Sequence, residues 1–199
     1  MTTAVDLRPE KLARFVESVV EVSRMGLPPE EAIDRIHPDF QQMLDSPDWL
    51  AEEYKAPLPG KFAQYLLHRE DDASLSVMAM VVPAGCTTPV HDHLAWGLVG
   101  VYQGSQLETV YHRDDDGSDP DHARLSHVAT NVLRVGDITR LIPPEGDIHK
   151  IETLDKDRPS ISIHILGNDI GCRWRHAFEV ENEKALDFRS GYVNAPCRD

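Results

Sequence analysis

A chain of 199 residues is long enough for one well-buried core and short for two, so a single domain is expected. Lys and Arg number 20 against 34 Asp and Glu, and the formal net charge of −14 argues against nucleic acid or an anionic membrane as the main partner. No apolar run approaches the roughly 20 residues of a membrane span. The N-terminus lacks a charged-then-apolar signal pattern, and the 3 cysteines show no Cys-x-x-Cys spacing, so a soluble protein in a reducing, cytoplasmic setting is expected.

The first predicted element is an amphipathic helix over residues 9–24. Leu12, Phe15, Val16, Val19 and Val20 recur at helical spacing, Pro9 sits near the first turn and Gly26 lies just past the end. Pro28 and Pro29 open a second helix carrying Ala32, Ile33 and Ile36, which Pro38 is expected to stop. A third helical piece is predicted from Phe40 to Leu44, continuing through Trp49 and Leu50 after Pro47.

From Pro57 onward the composition turns to short β-like runs between turn residues, at 62–68, 74–82, 97–102, 106–113, 124–131, 138–142, 149–154 and 160–166, with a last strand near 173–180. Many short strands at this spacing predict a jelly-roll sandwich or barrel. Residues 1–56 then form N-terminal helices packed on a barrel of residues 57–199, within a single domain. The acidic stretch from Asp114 to Asp121 reads as a solvated hairpin tip.

The segment Gly85 to His93 carries the chemistry. His91 and His93 are two apart on what reads as a strand edge, so both rings point to one face while Asp92 points away. His149 follows Pro144-Glu145-Gly146-Asp147-Ile148, where a folded-back strand could bring it beside them. Three imidazoles on a β scaffold make a metal site with open positions. Neutral ligands leave a divalent ion its double charge, which favours an anionic ligand such as a thiolate.

These residues also carry a family resemblance. The first stretch resembles the first cupin motif, with Gly85, His91, His93 and Gly104 in register and Gly97 at the position of the motif's glutamate. The second resembles the other cupin motif through Pro144, Gly146 and His149, with Gly136 two residues further upstream than usual. Loss of the glutamate is similar to the thiol dioxygenase branch of the cupins. Over roughly residues 60–195 the chain resembles the bacterial 3-mercaptopropionate dioxygenase group within the cysteine dioxygenase family. That resemblance implies iron(II) on His91, His93 and His149, a small mercapto acid and O2 as substrates, and a sulfinate product. It further implies that Arg175 holds the substrate carboxylate, that Gln64 lines the same pocket, and that Ser162 and His164 belong to a Ser-His-Tyr relay.

Leu166 stands where that relay has its tyrosine, and Gly97 replaces the cysteine that animal members join to it. An apolar side chain there implies a less polar pocket that admits a bulkier body than 3-mercaptopropionate. Two other readings stay open: a cupin metalloenzyme acting on a non-thiol carboxylate, and a non-catalytic small-molecule-binding cupin.

Overall fold

The computed structural model describes residues 10–46 and 48–197; Pro9 and Pro47 lie outside the described residues. Helices α1 (Glu10–Ser23) and α2 (Pro29–Leu44) precede eleven strands. These are β1 (Ala63–Arg69), β2 (Ser76–Val82), β3 (Val90–His91), β4 (Gly97–Gln103), β5 (Ser105–Arg113), β6 (Leu125–Arg134), β7 (Ile138–Leu141), β8 (Ile148–Thr153), β9 (Ser160–Leu166), β10 (Arg175–Glu179) and β11 (Lys184–Phe188). One sheet runs β1-β2-β9-β4-β7 and the other β11-β10-β3-β8-β5-β6, with every named pair antiparallel. This is the mostly β jelly roll with an N-terminal helical segment that the sequence predicts.

The first sheet divides its side chains by the two-residue period of a strand. Val77, Ala79, Val81, Leu98, Ile161, Ile163 and Ile165 pack outward in one apolar core with Leu12, Phe15, Val19, Ile33, Ile36 and Phe40 of the helices. Contact is close because Gly100 has no side chain: a Cβ there would run into Leu44 Cδ1 and lie 2.7 Å from Phe40 Cζ. The alternate residues of β9, among them Ser162 and His164, therefore face inward, toward the second sheet.

Pro38 does not stop α2 but lies inside it. A proline in a helix interior costs about 3 kcal/mol. Burying Phe40, Met43 and Leu44 beyond it, at about 1.5–3 kcal/mol each, outweighs that cost. The continuation through Trp49 and Leu50 is not helical: both are buried in irregular, bent chain, and Trp49 Nε1 donates to Met43 O at 2.8 Å, capping the end of α2.

The cysteine spacing, read above as fitting a reducing setting, does not foresee a disulfide. Cys172 and Cys197 form a disulfide, and Cys86 alone is free. The chain after β11 folds back along the edge of β1, which brings Cys197 to the loop that follows β9. Val193 N donates to Gln64 O at 2.8 Å, and the Asn194 side-chain amide bonds both Leu66 N and Leu66 O, at 2.8 and 2.9 Å. No helix among the described residues is long and apolar enough to cross a membrane.

Candidate metal centre

The second sheet brings the three histidines together. His91 on β3 pairs with His149 on β8, and His93 follows two residues after His91. Their ring centroids are 4.9–5.0 Å apart, all three are buried, and one ring nitrogen from each can lie within 4.8 Å of the others.

The tautomers follow from the hydrogen bonds. His91 Nδ1 meets Pro89 O at 3.0 Å, His93 Nδ1 meets Asp147 O at 3.0 Å, and His149 Nδ1 meets Glu108 Oε1 at 2.9 Å. Carbonyls and carboxylates only accept, so each Nδ1 carries the hydrogen and each Nε2 keeps its lone pair. Nε2 of His149 is buried with no partner in the protein, which a metal ion would remedy. Burial, followed by the neighbouring His93 and Arg175, pushes the His91 pKa well below its usual range, and burial lowers that of His93. His91 and His93 are thus neutral and ready for a metal at neutral pH.

Two carboxylates behind these rings escape a reading by motif. Asp147 accepts from His93 N at 3.0 Å and Leu94 N at 3.1 Å, fixing the loop in which Leu94 takes a positive φ of 53°. Glu108 accepts from His149 and from Asn131 Nδ2, the latter at 3.2 Å. Burial alone would raise the Glu108 pKa, but the His149 hydrogen bond and charge hold it below the usual carboxylate range. The detectable signal for Glu108 is an acid at an inward-facing position of a strand.

Beside His91 lies a nearly closed cavity of about 10 Å³, room for about one water, lined by Phe62, Gln64, Thr88, Arg175 and Phe188 among others. Arg175 is buried. Its Nη1 donates to Asp92 O at 2.8 Å and Nη2 to Ser190 Oγ at 3.3 Å, its guanidinium stacks 4.5 Å from the Phe188 ring, and Nε has no acceptor. Among the described residues no carboxylate lies within ion-pair distance of it, and burial lowers its pKa to about 10 against the opposing charges of Asp92 and Asp147. Gln64 Oε1 is likewise buried and unpartnered. Asp92 turns away from the cluster, as the sequence implies, and accepts from His176 N and Nδ1 at 2.8 and 2.6 Å.

Ser162 Oγ and His164 Nε2 are 2.9 Å apart, and His164 Nδ1 has no partner. Burial, then the charges of His93, His149 and Arg175, keep His164 neutral. Neither residue lines the cavity of Gln64 and Arg175. Leu166 packs with Met78, Val99, Leu141 and Ile170, and Tyr192 lies against the same cluster. The surroundings of Leu166 are thus apolar.

No protein-family model matches the chain. A solved oxalate oxidase in complex with glycolate is 21% identical, covering 56% of this chain and 53% of its own, with a TM-score of 0.42. A DMSP lyase from Ruegeria pomeroyi is 22% identical over 61% of this chain and 52% of its own, with a TM-score of 0.40. A protein with a double-stranded β-helix domain from Klebsiella pneumoniae is 19% identical over 63% of this chain and 94% of its own, with a TM-score of 0.44. The chain thus spans about half the length of the oxalate oxidase and of the DMSP lyase. The strand order is that of a jelly-roll barrel, and the cluster of His91, His93 and His149 on its inner face could hold a metal ion.

Proposed function

We propose that this protein is an iron(II)-dependent dioxygenase that oxidises the thiol of a small mercapto carboxylic acid to a sulfinate. The observation that carries this reading is a buried guanidinium with an unpartnered Nε and, among the described residues, no carboxylate within ion-pair distance, in a cavity shared with one of three clustered imidazoles. The buried guanidinium is answered only by the more distant charges of Asp92 and Asp147, so a substrate carboxylate at Arg175 stabilises both protein and complex. Bound iron(II) supplies the redox chemistry by which both atoms of O2 reach the thiolate sulfur, RS− and O2 giving RSO2−.

The chain's own residues do the positioning. Arg175 takes the carboxylate with Nε and a second N–H, and Gln64 Oε1 accepts a hydrogen from the substrate or from a water beside it. Met80, Phe62 and Phe188 exclude water from the thiol end. Since the cavity holds about one water, substrate entry requires its lining to move. His164, neutral, holds a proton in its hydrogen bond with Ser162 and adds no charge near the ligands.

Arg175→Lys tests the carboxylate site. An ammonium cannot reproduce the two-pronged guanidinium, and a hydrogen bond to a charged group contributes about 1.5–3 kcal/mol. The KM for 3-mercaptopropionate is therefore expected to rise about 10- to 100-fold, while cysteamine, which has no carboxylate, changes little. Equal losses on both thiols would contradict the assignment. The apolar surroundings of Leu166 favour a second reading, a metalloenzyme acting on a non-thiol carboxylate at the same Arg175. Under it the iron-loaded protein consumes no O2 with any thiol.

A further inference from the structure

We infer that Glu108 supplies to the metal centre, through His149, the negative charge that its three imidazole ligands lack, and is its principal positioning residue. The inference rests on the metal-centre reading above and adds a fourth residue to it. The three ring N–H groups have different acceptors. Those of His91 and His93 go to the backbone carbonyls of Pro89 and Asp147, whereas that of His149 goes to the carboxylate of Glu108 at 2.9 Å. The Asp147 carboxylate also lies near His93 Nδ1, at 3.4 Å, but the carbonyl is the nearer acceptor and the carboxylate is taken by two backbone N–H groups. The Asp147 charge therefore acts on His93 from beside its hydrogen bond, whereas His149 alone of the three gives its ring N–H to a carboxylate as nearest acceptor.

Strand register explains how Glu108 arrives there. Val110 pairs with His149 and Glu108 with Ile151, so Glu108 is the diagonal neighbour of His149 on the inner face. Asn131 on β6 pairs with Glu108 and holds Oε2 with its amide, which turns Oε1 toward the imidazole. Three adjacent strands thus build one hydrogen-bonded line from Asn131 through Glu108 to His149. A residue only 2% exposed would not carry a carboxylate without such partners.

The consequence is chemical. The hydrogen bond fixes the tautomer that points the Nε2 lone pair at the ion, and it raises the electron density on that nitrogen. A carboxylate cannot enter the ligand set from position 97, because a Cβ there would meet Ile165 O at 2.6 Å. Charge that cannot be delivered directly is delivered from behind His149.

Glu108→Gln tests this, since the amide keeps the shape and can still accept from Nδ1 but carries no charge. With folding verified by circular dichroism, zinc and cobalt(II) affinities measured against a competing chelator are expected to fall about 10- to 100-fold. The visible bands of the cobalt(II) form are expected to move to lower energy, a signature that a merely structural role would not produce. A folded variant with wild-type affinity and spectrum would overturn the inference. A wild-type measurement covers the case of a misfolded variant: in the zinc-loaded protein the His149 ring N–H proton should resonate furthest downfield of the three ligands, and equivalence with those of His91 and His93 would overturn the inference alone. Failure of the wild-type chain to bind zinc or cobalt(II) would overturn the metal reading and this inference together.

Discussion

Replacing His149 by alanine is expected to strip the metal and to destabilise the protein, whereas His91→Ala strips the metal at a smaller cost in stability. Each change removes one of three ligands and leaves two, too few to hold an ion firmly. The difference comes from what each ring leaves behind. Without His91, the Pro89 carbonyl loses one donor. Without His149, the buried Glu108 carboxylate keeps only Asn131. Loss of a hydrogen bond to a charged group costs about 1.5–3 kcal/mol, or roughly 3–12 °C in the melting temperature of a chain this size. Metal analysis and thermal unfolding of the two variants in metal-free buffer check both parts. Metal retained by either variant would remove that residue from the ligand set, and equal melting temperatures would show that Glu108 does not depend on His149.

Restoring a glutamate at position 97 is expected to prevent folding rather than to complete a ligand set. Gly97 pairs with Leu166 across β4 and β9, and a Cβ there would meet Ile165 O and Leu166 Cδ2, both at 2.6 Å. The carbonyl belongs to the sheet backbone and cannot swing aside. Overpacking of a core costs about 1–3 kcal/mol, and a carboxylate forced in without a partner adds several more, against a total stability of about 5–15 kcal/mol. Gly97→Ala should therefore melt lower by roughly 2–12 °C, and Gly97→Glu should fail to accumulate as folded protein. A folded Gly97→Glu chain that binds metal more tightly than wild type would contradict this account of the empty glutamate position.

Particular residues show how far the sequence could be read. The stripe of Leu12, Phe15, Val16 and Val19 needed only the helical period, and the buried run 160–166 only its length and β-branched content. His91 and His93 were legible because a two-residue spacing on a strand fixes a common face. Pro38 is misread by a local helix-breaking rule, because the core that α2 covers is not visible in the local sequence. Strand β11 was missed: Lys184-Ala185-Leu186-Asp187-Phe188 has few strand formers, and its pairing with β10 orders it. The role of Glu108 is not legible from its inward-facing strand position alone, because its partners, His149 and Asn131, are 41 and 23 residues away. The Cys172–Cys197 bridge was hidden for the same reason, since only the fold-back along β1 brings the two residues together.

The central claim is that Arg175 and the three-histidine centre together orient a mercapto acid for oxidation at sulfur. It is tested most directly by loading the protein with iron(II) without oxygen, adding 3-mercaptopropionate and then O2, and measuring oxygen uptake and sulfinate together. The account predicts O2 consumed and sulfinate formed in equal amounts, with both lost in His149→Ala. Iron-loaded protein that consumes no oxygen with 3-mercaptopropionate or any other mercapto acid would contradict it.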